Sequence, residues 1–490
     1  METYRNYIGG EWRESAGTQT MPNLNPANTD DVLGTVRMST QAETESAIDA
    51  AHRAQPAWRR VPAPERGRVI LRTAAVFTRR KEEISRALTH EEGKILKEAR
   101  GEVQKAINIL EFMAGEATRM TGETAPSDLP FNFCYTVRVP IGVAGLITPW
   151  NFPVAIPAWK IAPAIVAGNT VVFKPSPLTP VTARMVIECF EEGGAPKGVL
   201  NMVHGEGPGV GEVIVGDPRV PVVSFTGSNA IGTRINAQAA PMLKKVQCEM
   251  GGKNAVLVME DADLDLALEA VALGAFGSTG QRCTATSRVV IHEKIADRFV
   301  GMLVERAGRM KLGDGLADGI DMGPAVSEMQ LRKDLEYIEV GKKEAKLVCG
   351  GDRPGGALAK GYFISPTIFD HVTKGMRLAQ EEIFGPVASV IRVKGFDEAL
   401  EVANSVKFGH QSAIFTNDPS RMHRFIDEIE VGGVHVNSAT IGGEAHLPFG
   451  GMKATSVGSR EMGSTAIDFY TELKTVYIDY TGQKRTSSIY

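Results

Sequence analysis

The chain is poor in cysteine: five among 490 residues, at Cys134, Cys189, Cys248, Cys283 and Cys349, an odd number without a C-x-x-C pair. Neither a disulfide framework nor a zinc knuckle is indicated, no metal site is expected, and reduced cytoplasmic thiols are the simplest reading. Blocks of like charge are missing as well. The 54 basic and 58 acidic side chains are interspersed and the formal net charge is −4, so no footprint marks nucleic acid or an anionic membrane as a partner. Long apolar runs are also absent: the most apolar stretch, Val139 to Phe173, is broken by Pro140, Pro149, Pro153, Pro157, Lys160 and Pro163 and cannot span lipid as a helix. The first residues, METYRNYIGGEWRES, lack the apolar core and cleavage site of a secretion signal. A small-molecule substrate is the default expectation.

What is present is the composition of a globular protein, 43% hydrophobic and 23% charged, too long for one ordinary core. From Val143 onward short β-branched runs alternate with helical stretches: VAGLI, TVVFK (170–174), VLNMV (199–203), VVSF (222–225) and NAVLV (254–258). A second series begins after Asp263, includes RVVI (288–291) and runs to about Asn437. The pattern predicts an α/β fold with two parallel, doubly wound sheets. A helical region precedes them, Ala42 to Arg119. Phe131–Val139 and Thr471–Tyr480 alternate like strands outside either series, and need a partner edge in this chain or in another subunit.

Four segments carry residues suited to chemistry. The dinucleotide fingerprint G-x-G-x-x-G is missing, since GEGPGVG (205–211) has the wrong spacing, and that test alone argues against a nicotinamide cofactor. SFTGSNAIG (224–232) offers another phosphate cradle, a strand ending in Gly227-Ser228 with a helix starting before Gly232, or merely an ordinary turn. Cys283 follows Arg282, a cation able to favour the thiolate, although a lone cysteine is more often a small buried apolar residue. Glu249 ends an apolar strand before Gly251-Gly252, where desolvation would raise its pKa toward that of a useful base; a hydrogen-bonded turn carboxylate is the plainer reading. Asn151, in the rigid bend TPWNFP, is a fixed neutral donor suited to an oxyanion, or a side chain that satisfies the turn.

Taken in order, TPWNFP (148–153), KPSP (174–177), FTGS (225–228), EMGGKN (249–254), GQRC (280–283), EEIFGPV (381–387) and PFGG (448–451) resemble the motifs of the aldehyde dehydrogenase superfamily. The likeness runs from about Tyr7 to Tyr480, and Cys283 follows Glu249 by the family's 34 residues. It implies two Rossmann-like domains and a small β arm for oligomerisation: 1–121 and 141–251 bind NADP or NAD, 252–455 form the catalytic domain, and 122–140 with 456–490 supply the arm and C-terminal segment. A homodimer or homotetramer is implied, with a small aldehyde as substrate.

The resemblance also implies roles. Cys283 is the nucleophile, Asn151 and the Cys283 N–H stabilise the oxyanion, Glu249 activates water, and Lys160 lies near a proton path. Lys174 and Glu382 hold the two riboses, Phe384 packs beside the nicotinamide ribose, and Gly227, Ser228 and Gly232 follow the pyrophosphate, with Trp150 and Ser176 facing the cofactor. Phe152 and Trp159 wall the substrate tunnel or simply fill the core. Many NAD-preferring members have a glutamate three residues after the lysine; Pro177 stands there in this chain, which favours NADP. RVPIGVAGLITPWNFPVAIPAWKIAPAIVAGNTVV, STGQRCTATSRVV and SREMGSTAIDFY resemble the bacterial 2-oxoglutarate semialdehyde (2,5-dioxopentanoate) dehydrogenase branch, with Arg282 a candidate to bind the substrate carboxylate or, equally, to face solvent or a partner loop. Other semialdehydes, neutral aldehydes, acyl transfer to coenzyme A and a scaffold that has lost catalysis are the competing readings; Glu249 argues against acyl transfer, and retention of Cys283, Glu249 and Asn151 against the scaffold.

Overall fold

The β-branched runs become parallel strands. In the computed structural model, which describes residues 2–484, Val143–Ile147, Thr170–Lys174, Leu200–Met202, Val222–Thr226 and Lys245–Glu249 lie side by side in parallel. Val143–Ile147 and Thr170–Lys174 are buried at every residue, as a sheet covered on both faces requires. Across the sheet the five run fifth, fourth, first, second, third, so their order reverses between Val143–Ile147 and Val222–Thr226. Short antiparallel strands extend both edges: Ser456–Val457 beside Lys245–Glu249, and Asn6–Ile8 with Glu11–Arg13 beside Leu200–Met202.

The second sheet orders Thr367–Asp370, Val387–Val393, Thr286–His292, Asn254–Val258, Gln411–Phe415 and Gly433–Val436 in parallel, with Lys346–Cys349 antiparallel at one edge. The chain crosses from one sheet to the other within four residues, Met250 to Lys253, between Glu249 and Asn254. The carboxyl edge of the first sheet therefore meets the amino edge of the second.

The expected helical region forms Gln41–Trp58, Ala63–Arg79, Lys81–Glu92 and Leu96–Glu116. The first is started by a reciprocal cap, in which Thr40 accepts from the Glu43 N–H and Glu43 accepts from that of Thr40. Leu96–Glu116 packs against Ala155–Val166, a helix buried at all twelve residues that follows the TPWNFP bend. Burial on every side explains its lack of a polar face.

Asn132–Pro140 and Thr471–Asp479 find their partner edge in each other, antiparallel over nine residue pairs, with Thr124–Ala125 alongside. This ribbon exposes Phe131, Phe133, Leu473, Tyr477, Ile478 and Tyr480. Residues 485–490 of the expected C-terminal segment lie outside the described residues. Among the described residues no helix is long and apolar enough to cross a membrane.

Candidate functional site

At the reversal of strand order, the carboxyl ends of Val143–Ile147, Thr170–Lys174 and Val222–Thr226 open into a crevice. Open α/β sheets bind ligands at this place. Lys174, Ser176, Pro177, Gly227, Ser228 and Arg234 are among its walls. The helix Asn229–Ala239 starts directly after Ser228 and has no side-chain cap, leaving its first N–H groups for an anion. A Cβ at Gly227 would collide with the Phe225 ring, and one at Gly232 with Met250 Sδ, so glycine permits the close approach of helix and strand. Buried Lys174 donates to Pro175 O at 2.9 Å and Gly205 O at 2.8 Å; burial brings its pKa down to about 8. The run GEGPGVG, which fails the fingerprint, forms a helical turn at Gly207–Gly211 that lines the same crevice. Arg234 forms an ion pair with Glu212, also on the wall.

A second cavity shares Pro149, Thr226, Gly227 and Ser228 with the first. It brings together Trp150, Asn151, Cys283, Glu382 and Phe384. Cys283 follows a tight turn in which Ser278 (φ 50°), Thr279 (φ 57°) and Gly280 (φ 67°) are left-handed. Each such non-glycine residue costs about 1–3 kcal/mol and persists only where its surroundings hold it. Here Glu98 accepts from Ser278 N at 2.7 Å and Thr279 donates to Gly323 O at 2.9 Å, while a side chain at Gly280 would strike Gly385 O. Phe384, also left-handed (φ 68°), sets its ring edge-on to Trp150 at 5.5 Å.

Asn151 Nδ2 donates to Gln281 O at 3.0 Å, which aims the amide at the cysteine loop. Its own carbonyl accepts from Lys94 Nζ at 2.6 Å, and Lys94 is neutralised by Glu102 at 2.6 Å. This buried pair holds the bend from beneath. Glu382 accepts from Gly252 N at 2.9 Å, and a Cβ at Gly251 would collide with its carboxylate.

Glu249 lies one residue behind Met250 in the cavity wall, fully buried at the end of its strand. Ser456 donates to Oε2 at 2.6 Å; Oε1 has no partner, and a side chain at Gly450 would press against it. Burial, then the neighbouring Glu461, hold its pKa well above the usual carboxylate range. Lys160 pairs with Glu461 and donates to Ser224 Oγ at 2.6 Å, while Glu461 Oε2 has no partner. The sequence reading had Lys160 but not Glu461, a single acid in a loop 301 residues away.

The cation expected to favour the Cys283 thiolate is a different one. Burial, then Glu382 and Glu249, push the thiol up to about 12, and Lys105 opposes them. Arg282 is turned away into an ion pair with Glu98 at 3.0 Å and a bond to Ser278 Oγ at 2.8 Å. Phe152 lies under Lys94 Nζ at 4.1 Å from its ring centre, and Trp159 packs beside Phe449 at 5.5 Å; both rings join the cluster that Cys283 packs against.

The sequence profile of the Aldehyde dehydrogenase family matches residues 12–476. An alpha-ketoglutaric semialdehyde dehydrogenase of Bacillus subtilis is 48% identical, over 97% of this chain and 98% of the relative. A 2,5-dioxopentanoate dehydrogenase of Saccharolobus solfataricus is 43% identical, over 97% and 99%. The crystal structure of betaine aldehyde dehydrogenase from Staphylococcus aureus in complex with NAD+ is 35% identical and superposes with a TM-score of 0.96 over 99% of this chain and 96% of that one. A switch-point crevice opening onto a cysteine pocket, with likeness along nearly the whole length, means that the chain belongs to the aldehyde dehydrogenase family and is an aldehyde dehydrogenase.

Proposed function

We propose that this enzyme oxidises a carboxylate-bearing aldehyde to the corresponding acid, with NADP or NAD, through a thioester on Cys283 that Glu249-activated water hydrolyses. The observation that supports it most is the meeting of Cys283 and Asn151 in one cavity continuous with the crevice, with Met250 in its wall and the adjoining Glu249 within electrostatic reach of the sulfur.

The crevice fits a dinucleotide. In this reading Lys174 and Ser176 serve an adenosine ribose, Gly227 and Ser228 a pyrophosphate, with Gly232 letting the helix start close behind them, and Glu382, with Trp150 and Phe384, a nicotinamide ribose. When bound, the cofactor supplies the hydride acceptor. Pro177 leaves no carboxylate at the place where one would repel a 2′-phosphate, and Lys174, Ser176 and Arg234 offer donors, which favours NADP.

Glu249, held basic by burial, takes the thiol proton; the sulfur bonds to the aldehyde carbon and the C=O electron pair moves to oxygen. Asn151 Nδ2 and the Cys283 N–H then hold the oxyanion, each donor contributing about 3–4 kcal/mol. Loss of hydride leaves the thioester. Glu249 then removes a proton from water, whose oxygen attacks the thioester carbon, and returns that proton to the departing sulfur as the acid leaves, having first passed on the thiol proton that it took. Lys160 and Glu461 form the route by which that proton leaves.

The substrate class rests on the relatives, named for 2-oxoglutarate (2,5-dioxopentanoate) semialdehyde and, at 41% identity, malonate semialdehyde. We assign cofactor binding to 1–121 with 141–251, catalysis to 252–455, and oligomerisation to the ribbon of 122–140 and the C-terminal segment. Its exposed apolar side chains suit a homodimer or homotetramer. A panel of acidic and neutral aldehydes, run with each cofactor and with or without coenzyme A, tests the proposal. Free acid from semialdehydes is expected; acyl-coenzyme A as product, or NAD favoured by more than about tenfold in kcat/KM, would overturn the corresponding part.

A further inference from the structure

The helix Leu96–Glu116 carries Glu98, Glu102 and Lys105 in one stripe, spaced four and three residues apart. The two acids are satisfied. Glu98 holds Arg282 and Ser278 N, and Glu102 accepts from Lys94 Nζ, Val154 N at 2.9 Å and Ala155 N at 3.2 Å. Lys105 is not: among the described residues its ammonium has neither a hydrogen bond nor an ion pair, only the faces of Trp159 at 5.1 Å and Phe449 at 5.3 Å.

A second group, beside it, is also unpartnered. Trp159 is 5% exposed, yet its indole Nε1–H has no acceptor. Lys105 is part-buried and the Trp159 N–H fully so, and a carboxylate is the ligand that would satisfy both the free ammonium and the orphaned N–H. Burial draws the lysine pKa down to about 8, which leaves it mostly charged at neutral pH. Lys105 also lies within electrostatic reach of Cys283, and Trp159 and Phe449 belong to the cluster on which Cys283 packs. Arg282, by contrast, already has its carboxylate in Glu98.

Building on the aldehyde-oxidising reading, we propose that Lys105 Nζ and the Trp159 indole N–H anchor the distal carboxylate of the substrate. The rings of Trp159 and Phe449 wall its methylene chain, and the aldehyde end points to Cys283. The enzyme thereby selects short ω-oxo acids over neutral aldehydes of equal length.

The test compares succinate semialdehyde with butanal for the wild type and for Lys105→Met, Lys105→Arg, Trp159→Phe and Arg282→Met, with cofactor binding as the check on folding. Lys105→Met is expected to lower kcat/KM for the acid by about 30- to 100-fold more than for butanal, chiefly through KM, while a loss in kcat common to both aldehydes reports the cation's effect on the Cys283 thiolate. Lys105→Arg should retain much of the preference, and Trp159→Phe should lose about fivefold on the acid only. An equal loss on both aldehydes, an undiminished preference in Lys105→Met, or a selective loss in Arg282→Met alone would overturn the anchor. A wild type that oxidises both aldehydes equally well also overturns it and leaves aldehyde oxidation standing; a wild type that oxidises neither refutes the functional reading itself.

Discussion

The cofactor crevice and the reaction pocket share four wall residues, yet one is built from regular structure and the other from exceptions to it. The crevice consists of strand ends, a helix start and glycines that allow close packing, and its buried lysine, Lys174, has two carbonyl acceptors. The pocket is assembled from a bend, a turn with two left-handed non-glycine residues and a loop at Phe384. Around it lie the orphaned atoms Glu249 Oε1, Glu461 Oε2 and Trp159 Nε1. The crevice too leaves Thr148 Oγ1 and Thr226 Oγ1 without partners, but its buried cation is satisfied, whereas a place that moves protons must keep carboxylate oxygens free for the reaction.

This contrast breaks if substitutions at the pocket's reacting groups, Cys283 and Glu249, harm cofactor binding. The largest effect is expected for Cys283→Ala, which removes the nucleophile: turnover should fall by at least about 10⁴-fold while cofactor affinity stays within about threefold. Steady-state rates and a fluorescence titration with reduced cofactor measure both; activity within about tenfold of the wild type would end the thioester mechanism. Glu249→Gln comes next. The amide can take neither the thiol proton nor one from water, so the first turnover should slow and the steady rate should fall by about 10²- to 10³-fold, with the acyl-enzyme that does form persisting as added mass. A steady rate like the wild type's, without that adduct, would remove Glu249 from hydrolysis.

The same contrast governs what was legible in the sequence. The strands around the crevice were readable because β-branched runs between helical stretches have few other solutions, and Gly227-Ser228 follows directly from a strand end. GEGPGVG misled because its spacing fails a fingerprint that this crevice does not use. In the pocket, Arg282 looked like the thiol's cation because it is adjacent in sequence; the turn at Ser278–Gly280 instead delivers it to Glu98. Lys105, Glu461, Lys94 and Ser456 left no local signal. They reach the site through the packing of distant elements, Ser456 on Glu249 across 207 residues and Lys94 on Asn151 across 57.

The smallest effect sharpens the comparison from the crevice side. Pro177 lies on the crevice wall beside Ser176, whose hydroxyl accepts from Leu178 N at 3.2 Å, and Lys174 is close by in the same wall. Pro177→Glu would place an unpaired carboxylate beside Lys174 and Ser176, the wall's other carboxylate, Glu212, being paired with Arg234. A 2′-phosphate would meet a like charge there, whereas a ribose 2′-hydroxyl would gain an acceptor. Because the change does not touch the pocket, kcat should hold while KM for NADP rises about tenfold and KM for NAD falls about two- to threefold, a shift of about 1.4 kcal/mol or more in relative affinity. Initial rates with both cofactors at saturating aldehyde measure it. A fall in kcat with unchanged cofactor KM values would show that crevice and pocket are not separable, because a charge on the binding wall would then be felt at the sulfur.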